Sequence, residues 1–235
     1  MNTRFRLTKH GEWSYIHLPD LDQTGFFHGF VTRPPPSAGQ ADVRSALRVF
    51  GFEKHVLMDQ EHGDEVHVIA EGERPAAGDG LVLIERNVAG VIKTADCLPI
   101  ILYSTSSPVA AIVHAGWKGT AAGIAVKAVR KMKAVGVAGP IGALIGPGIG
   151  ACCYQVKEDV AAIFRKAGFD SPVIETRGGA LFLDLKQANE QMLRDEGVAD
   201  INDVGLCTFC REDLFCSARR DKGGGRQINF VLIRG

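Results

Sequence analysis

The sequence predicts a mixed α/β fold: α+β layers forming a single-domain layered sandwich around a mixed sheet. Two observations carry this. Short apolar runs of strand length are interspersed with amphipathic helical stripes, and their order is not the steady βαβ alternation of a doubly wound sheet. The composition, 46% hydrophobic and 23% charged over 235 residues, is that of a globular chain with enough apolar surface for a sizeable core.

The elements follow in order. Val43, Ala46, Leu47 and Phe50 share one helical face, and Gly51 is placed to end that helix. Leu81–Ile84 and Val88–Ile92 flank a short polar turn and read as a hairpin. Ile100–Tyr103 and Val109–Val113 are strand-length apolar runs. Ala121, Ile124, Ala128, Met132 and Val135 form a second helical stripe, followed by a strand over Ile141–Ile145. Val156, Val160, Ile163 and Phe164 form a third helix closed by Gly168. Asp184 with Gln187 resembles a capping box that opens a fourth helix ending near Gly197. Strands over Val204–Leu206 and Ile228–Ile233 complete the set. Pro34-Pro35-Pro36-Ser37 and Gly223-Gly224-Gly225 are too short to separate domains, so one domain over residues 1–235 is expected.

Formal net charge is zero, which argues against a general nucleic-acid binder. No apolar run is long enough to cross a bilayer, and no apolar segment follows Met1–Leu7 as in a secretory signal. A cytoplasmic protein is expected, with no membrane partner. In that compartment six cysteines suggest thiols and metal ligands more than disulfides.

The chemistry concentrates in three short segments: Gln60-Glu61-His62-Gly63, Thr94-Ala95-Asp96-Cys97-Leu98-Pro99 and His114-Ala115-Gly116-Trp117-Lys118-Gly119. Each adjoins an apolar run, where a rigid scaffold displays reactive groups. Two imidazoles and one thiolate from His62, His114 and Cys97 would make a three-ligand zinc site with an open fourth position. Their wide spacing is equally compatible with a buried thiol and satisfied core histidines. Asp96 reads either as an acceptor or proton-transfer group beside Cys97 or as a loop cap. Arg219 and Arg220 read as anion holders or as surface charge. Trp117 and Phe26-Phe27 could stack on a ring or fill the core. Lys118, Lys127, Arg130, Lys131 and Lys133 read as solvated surface charge. Gly146-Pro147-Gly148-Ile149-Gly150 reads as a strand-to-helix link with backbone donors for an anion, or as turn chemistry. Cys207-Thr208-Phe209-Cys210 is a Cys-x-x-Cys pair with Cys216 nearby, open to a redox or second zinc role, but no second pair stands at zinc-ribbon spacing and Cys152-Cys153 are adjacent.

Taken in order, these blocks, with Gly146–Gly150, Arg219-Arg220-Asp221 and Gly225-Arg226, resemble the signatures of the laccase-domain (YfiH-type) family, from about Phe26 onward. Val31-Thr32-Arg33 is similar to that family's Ser-Thr-Arg block, which makes Arg33 either a phosphate ligand or an exposed loop arginine. The resemblance implies a YfiH-type, cytotoxic necrotizing factor-like fold. It implies a zinc-dependent purine nucleoside phosphorylase that also acts as an adenosine deaminase and on methylthioadenosine, with zinc on His62, Cys97 and His114. The partners implied are a purine nucleoside and phosphate, and the chain is expected to be a monomer or homodimer. An older label for the family is multicopper polyphenol oxidase. Seven histidines with no His-x-His or His-Cys-His cluster support that copper chemistry poorly.

Three positions depart from the family pattern. A Gly-Gly-rich segment after Arg33 is missing, Glu61 stands where an apolar residue is usual, and Ala218 replaces an aromatic before Arg219. Two competing readings remain. Cys97 with His114 as base could form a metal-independent cysteine hydrolase, a reading supported by fold-level analogy to toxin deamidases. A non-catalytic zinc-stabilised interaction module is the other.

Overall fold

The computed structural model describes residues 2–35, 43–70, 72–222 and 224–235. Met1, Pro36, Ser37 and Gly223, which entered the sequence analysis, lie outside the described residues. The strands are β1 (Arg6–His10), β2 (Trp13–His17), β3 (Phe26–Val31), β4 (His55–Leu57), β5 (Val66–Ile69), β6 (Gly80–Leu83), β7 (Ala89–Thr94), β8 (Leu98–Ser104), β9 (Ala110–Ala115), β10 (Ile141–Ile145), β11 (Gln155–Val156), β12 (Ile174–Arg177), β13 (Ala180–Leu183), β14 (Asp200–Asp203) and β15 (Gln227–Ile233). The helices are α1 (Pro19–Asp22), α2 (Val43–Val49), α3 (Trp117–Ala121), α4 (Ile124–Ala134), α5 (Glu158–Lys166), α6 (Leu185–Asp195) and α7 (Ala218–Asp221).

Two six-stranded mixed sheets stack on each other, ordered β1-β2-β3-β15-β7-β4 and β14-β10-β8-β9-β6-β5. Their shared interior holds Phe30, Ile92 and Val231 from the first sheet and Ile101, Ile112 and Leu144 from the second. Helix α2 with Phe50 and Phe52 covers the outer face of the first sheet. Helices α4, α5 and α6 cover the outer face of the second through Ile124, Ala128, Met132, Phe164 and Leu193. The result is the expected layered α/β sandwich, helix–sheet–sheet–helix. β8 and β9 lie between two apolar layers and are buried along their whole length. This is why their sequences run apolar without alternation.

Apolar side chains of α4 face inward, while Lys127 pairs with Asp64, and Arg130 and Lys133 pair with Glu196. Asp184 caps α6 by accepting from the Gln187 amide at 3.0 Å. Five expectations need correction. β6 and β7 are not a hairpin but belong to different sheets. No tight-turn dipeptide joins them, and the intervening Asn87 is held by the end of β15 through Ile233 O and by the Gly235 amide. Val204–Leu206 is not a strand, because the edge strand β14 is the polar run before it, parallel to β10. Ala121 ends the short α3, and Gly123 at φ 74° breaks the stripe before α4. Val156 pairs in β11 with β13 and precedes α5. Gly146–Gly150 leads not into a helix but into turns, with its Gly146, Ile149 and Gly150 amides bonded to Pro99 O, Asp96 O and Cys207 Sγ.

Candidate active site

Three chain crossings between or along the two sheets deliver the candidate ligands. The link from β4 in the first sheet to β5 in the second carries His62 at φ 58°. The bend from β7 to β8, again between sheets, carries Asp96 at φ 86° and then Cys97. His114 lies within β9, paired opposite Pro99. The ligand atoms of His62, Cys97 and His114 all lie within 4.8 Å of one another. The two imidazoles meet edge to face, with centroids 4.8 Å apart.

Asp79 organises the group. It sits, fully buried, at the start of β6, where its carbonyl accepts the His114 amide at 2.7 Å. Its Oδ1 accepts from His114 Nδ1 at 2.7 Å and from the His62 amide at 3.1 Å. Its Oδ2 accepts from the Gly63 and Glu61 amides at 2.7 and 3.2 Å. One carboxylate therefore shapes the His62 loop and fixes the His114 tautomer, leaving Nε2 for a ligand. Burial opposes its charge, but the bonds from His114 and the Gly63 amide win and hold it ionised. Nothing in the spacing of the motifs announces Asp79. Its one signal is an aspartate between two glycines at the mouth of an apolar strand.

Electrostatics couple the thiol to the same network. Burial opposes a Cys97 thiolate, yet hydrogen bonds with His114 and His62 outweigh it and lower its pKa to about 7. Burial likewise opposes a charged His114, but bonds to Asp79 and Cys97 raise it to about 9. Without a metal, the Cys97 thiol begins to ionise near neutrality beside a charged His114. Close approach requires glycine here. A Cβ on Gly116 would lie 3.1 Å from Cys97 Sγ, and one on Gly119 would lie 2.6 Å from Gly63 O. Two nitrogens and one sulfur, with the carboxylate behind one nitrogen, form a donor set that fits a metal ion of zinc's preferences.

The triad opens into a cavity of about 470 Å³ lined also by Asp59, Gln60, Lys93, Asp96, Tyr154, Ala218, Arg219 and Arg226. Lys93, Arg219 and Arg226 give it three cations. Arg219 donates to Gln155 O at 2.6 Å and lies 5.1 Å from the Tyr154 ring centre. Burial and the nearby Cys97 push the Tyr154 phenol up to about 12, so it stays protonated. Asp96 lines the cavity, but three donors occupy its carboxylate: Thr208 Oγ1 at 2.7 Å, Ser217 Oγ at 3.0 Å and the Arg219 amide at 2.9 Å. It braces the segment that carries Arg219.

The other candidates lie elsewhere. Arg33 lines a separate, neighbouring depression of about 830 Å³, near Asp221 and Cys216. Arg220 turns inward to Asp221 and to the carbonyls of Thr208, Phe209 and Phe215, so its role is structural. Trp117 packs against the helical core, Phe26 lies in the core between the sheets and Phe27 packs on the aromatic cluster under α2, so none of the three provides a stacking wall for the cavity. Glu61 is exposed and uses only its amide at the site, while Ala218 leaves room at the rim. Lys93, Tyr154 and Arg226 were not singled out as site residues from sequence. Arg226 alone had a signal, the Gly225-Arg226 block.

Residues 28–234 match the sequence model of the family described as multi-copper polyphenol oxidoreductase laccase, and the chain belongs to that family. Among its relatives is a purine nucleoside phosphorylase of Deinococcus radiodurans, 39% identical over 190 residues, covering 80% of this chain and 73% of that protein. Mouse purine nucleoside phosphorylase LACC1 is 30% identical over 234 residues. That match covers 92% of this chain, which spans only 53% of the mouse protein's length. The crystal structure of Bacillus licheniformis hypothetical protein YfiH superposes with a TM-score of 0.86 at 30% identity, over 99% of this chain and 100% of that one. Geobacillus stearothermophilus YlmD gives 0.85 at 29% identity, covering 99% of both chains. Among the described residues no helix is long and apolar enough to cross a membrane.

Proposed function

We propose that this chain is a zinc-dependent purine nucleoside phosphorylase, cleaving adenosine, inosine, guanosine or methylthioadenosine with phosphate to free base and the (methylthio)ribose 1-phosphate. The observation that carries the reading is a three-ligand His/Cys/His group on the wall of a cavity that also presents Lys93, Arg219 and Arg226. The names of the bacterial relatives, at 31 to 39% identity, support the same reaction class.

Phosphorolysis breaks the bond between sugar C1′ and the base nitrogen, joins C1′ to a phosphate oxygen, and leaves a proton for the departing base. In this reading Arg219, Arg226 and Lys93 bind phosphate and hold its charge near the sugar. Tyr154, kept protonated, lines the wall against which the nucleoside rests and has a proton to donate in a hydrogen bond. His62, Cys97 and His114 would hold the zinc, oriented by Asp79. When bound, the ion supplies Lewis-acid charge beside a reacting oxygen. Water in the place of phosphate, added at purine C6 with the amino group leaving as ammonia, would give the adenosine deaminase activity at the same site. Copper oxidation is the weaker assignment. It needs further imidazole-rich centres, and among the described residues only two histidines join a ligand group.

The test is to incubate purified protein with adenosine, with and without phosphate, separate the products by chromatography, and measure zinc on the same sample. Phosphate-dependent adenine and ribose 1-phosphate are expected, with inosine reporting deamination. Absence of any phosphate-dependent base release overturns the phosphorylase assignment, and an unchanged rate after metal removal overturns the zinc assignment. The lowered Cys97 pKa favours one second reading, a metal-independent cysteine hydrolase with His114 as base. Iodoacetamide separates the two, because a zinc-bound thiolate is protected until chelator is added.

A further inference from the structure

A second group of soft ligands lies outside the triad. Cys152 and Cys153 come from the turn after Gly146–Gly150, and Cys207 and Cys210 from the segment after β14. Their four sulfurs lie within 4.8 Å of one another. Cys210 lies 58 and 57 residues beyond Cys152 and Cys153, and the two halves are joined by backbone pairing of Gly148 with Cys207. Spacing along the chain did not join the two halves, since the partner of the Cys-x-x-Cys pair is two adjacent cysteines.

The geometry has the form of a common centre and not of a paired bond. Cys210 Sγ lies 3.3 Å from Cys153 Sγ and 3.7 Å from Cys152 Sγ, so one sulfur is shared between two neighbours. A disulfide needs about 2.05 Å. Four sulfurs at about 2.3 Å from a tetrahedral zinc stand about 3.8 Å apart, close to the spacing found here. Backbone amides already point at one of them: Gly150 N donates to Cys207 Sγ at 3.2 Å, and the Cys210 amide also bonds to that sulfur. Such donors stabilise metal thiolates. Four thiolates this close cannot all carry charge without a cation among them.

We propose that Cys152, Cys153, Cys207 and Cys210 form a second, closed zinc site, structural in character and distinct from the open His/Cys/His group. Each thiol that binds gives its proton to solvent, and no oxidant or reductant is required. The site clamps two loops that build the cavity wall. One runs on to Tyr154; the other carries Thr208, which holds Asp96, and the Thr208 and Phe209 carbonyls, which hold Arg220. The proposal does not depend on the reaction assigned to the cavity.

Cys152 and Cys210 are exposed, which gives a test on the unaltered chain. Protein prepared under reducing conditions is treated with iodoacetamide, and the labelled cysteines are mapped by peptide mass spectrometry before and after chelator. Protection of all four sulfurs until chelator is added is the expected result; rapid labelling of Cys152 and Cys210 from the start overturns the proposal. Metal analysis of the same preparation, covering zinc and iron, is compared with Cys97→Ser and with Cys207→Ser/Cys210→Ser. Each variant should lose one zinc per chain, and the losses should add. Equal zinc content in the wild type and the double variant overturns the site, and iron lost in place of zinc overturns the choice of metal.

Discussion

Asp79 and His114 are joined twice, side chain to side chain and backbone to backbone, both at 2.7 Å. β6 and β9 pair antiparallel with Gly80 opposite Val113, which brings the residue before β6 beside the residue after Val113. The sheet register thus places a carboxylate behind a candidate metal ligand, while the same carboxylate gathers the amides of residues 61 to 63. Asp79→Asn keeps the size but has one acceptor where two are needed, and it turns an NH2 group toward amide donors. Metal affinity should fall by about 10- to 100-fold. Chelator competition at constant pH measures it, and an unchanged affinity would remove Asp79 from the site.

The metal-free protein should show the Cys97 thiolate directly. In the native chain stripped of metal, the rate of alkylation at Cys97 should rise with pH about a midpoint near 7, because the thiolate is the reactive form. His114→Ala removes the larger of the two hydrogen bonds and part of the charge that favour the thiolate, so the midpoint should move up toward the ordinary thiol value of 9.0. Mass spectrometry of the Cys97 peptide reads both curves. A wild-type midpoint already at the ordinary value would show that the imidazoles do not act on the sulfur.

The triad was legible because its residues sit in distinctive segments beside apolar runs. The supports were not, because they arise from pairing between distant strands and from backbone donors that carry no residue signature. Asp79 illustrates the first and the Gly146–Gly150 amides the second: those amides serve Pro99, Asp96 and Cys207, not an anion. The apolar strands β8, β9, β10 and β15 were readable since both faces are buried. The edge strand β1 was not, since Arg6, Leu7, Lys9 and His10 are exposed and only Thr8 is half-buried. Sheet membership was the harder question. Leu81–Leu83 and Ala89–Ile92 look alike in sequence, yet the chain crosses from one sheet to the other between them.

A separate group governs acid stability. Asp22 at the end of α1 lies 2.5 Å from His17 Nδ1 and 3.3 Å from the buried His28 Nδ1. Burial opposes its charge, but the hydrogen bond to His17 and the close approach of His28 win and bring its pKa from 3.8 to about 2. A depressed carboxylate contributes stability that is complete above its unfolded pKa and lost as pH falls through the folded value. The contribution is about 2 kcal/mol at neutral pH and should disappear between about pH 4 and pH 2. Asp22→Asn should therefore be less stable by about that amount at pH 7, with the gap closing toward pH 2. Urea unfolding at a series of pH values measures this, and a gap that persists at pH 2 would assign the loss to packing.

The two arginine positions make opposite predictions for phosphate. Arg219 lies at the cavity rim with its backbone fixed by Asp96, whereas Arg33 faces the neighbouring depression and Asp221. A charge-assisted contact to phosphate is worth roughly tenfold in binding when partly exposed to solvent. Arg219→Ala and Arg226→Ala should each raise the KM for phosphate about tenfold while leaving zinc content unchanged. Arg33→Ala should move it much less, since its guanidinium lies outside the cavity that holds the triad. Initial rates with phosphate varied at saturating adenosine distinguish the cases. A large effect confined to Arg33→Ala would shift the phosphate site into the larger depression and leave the cations around the triad for the nucleoside.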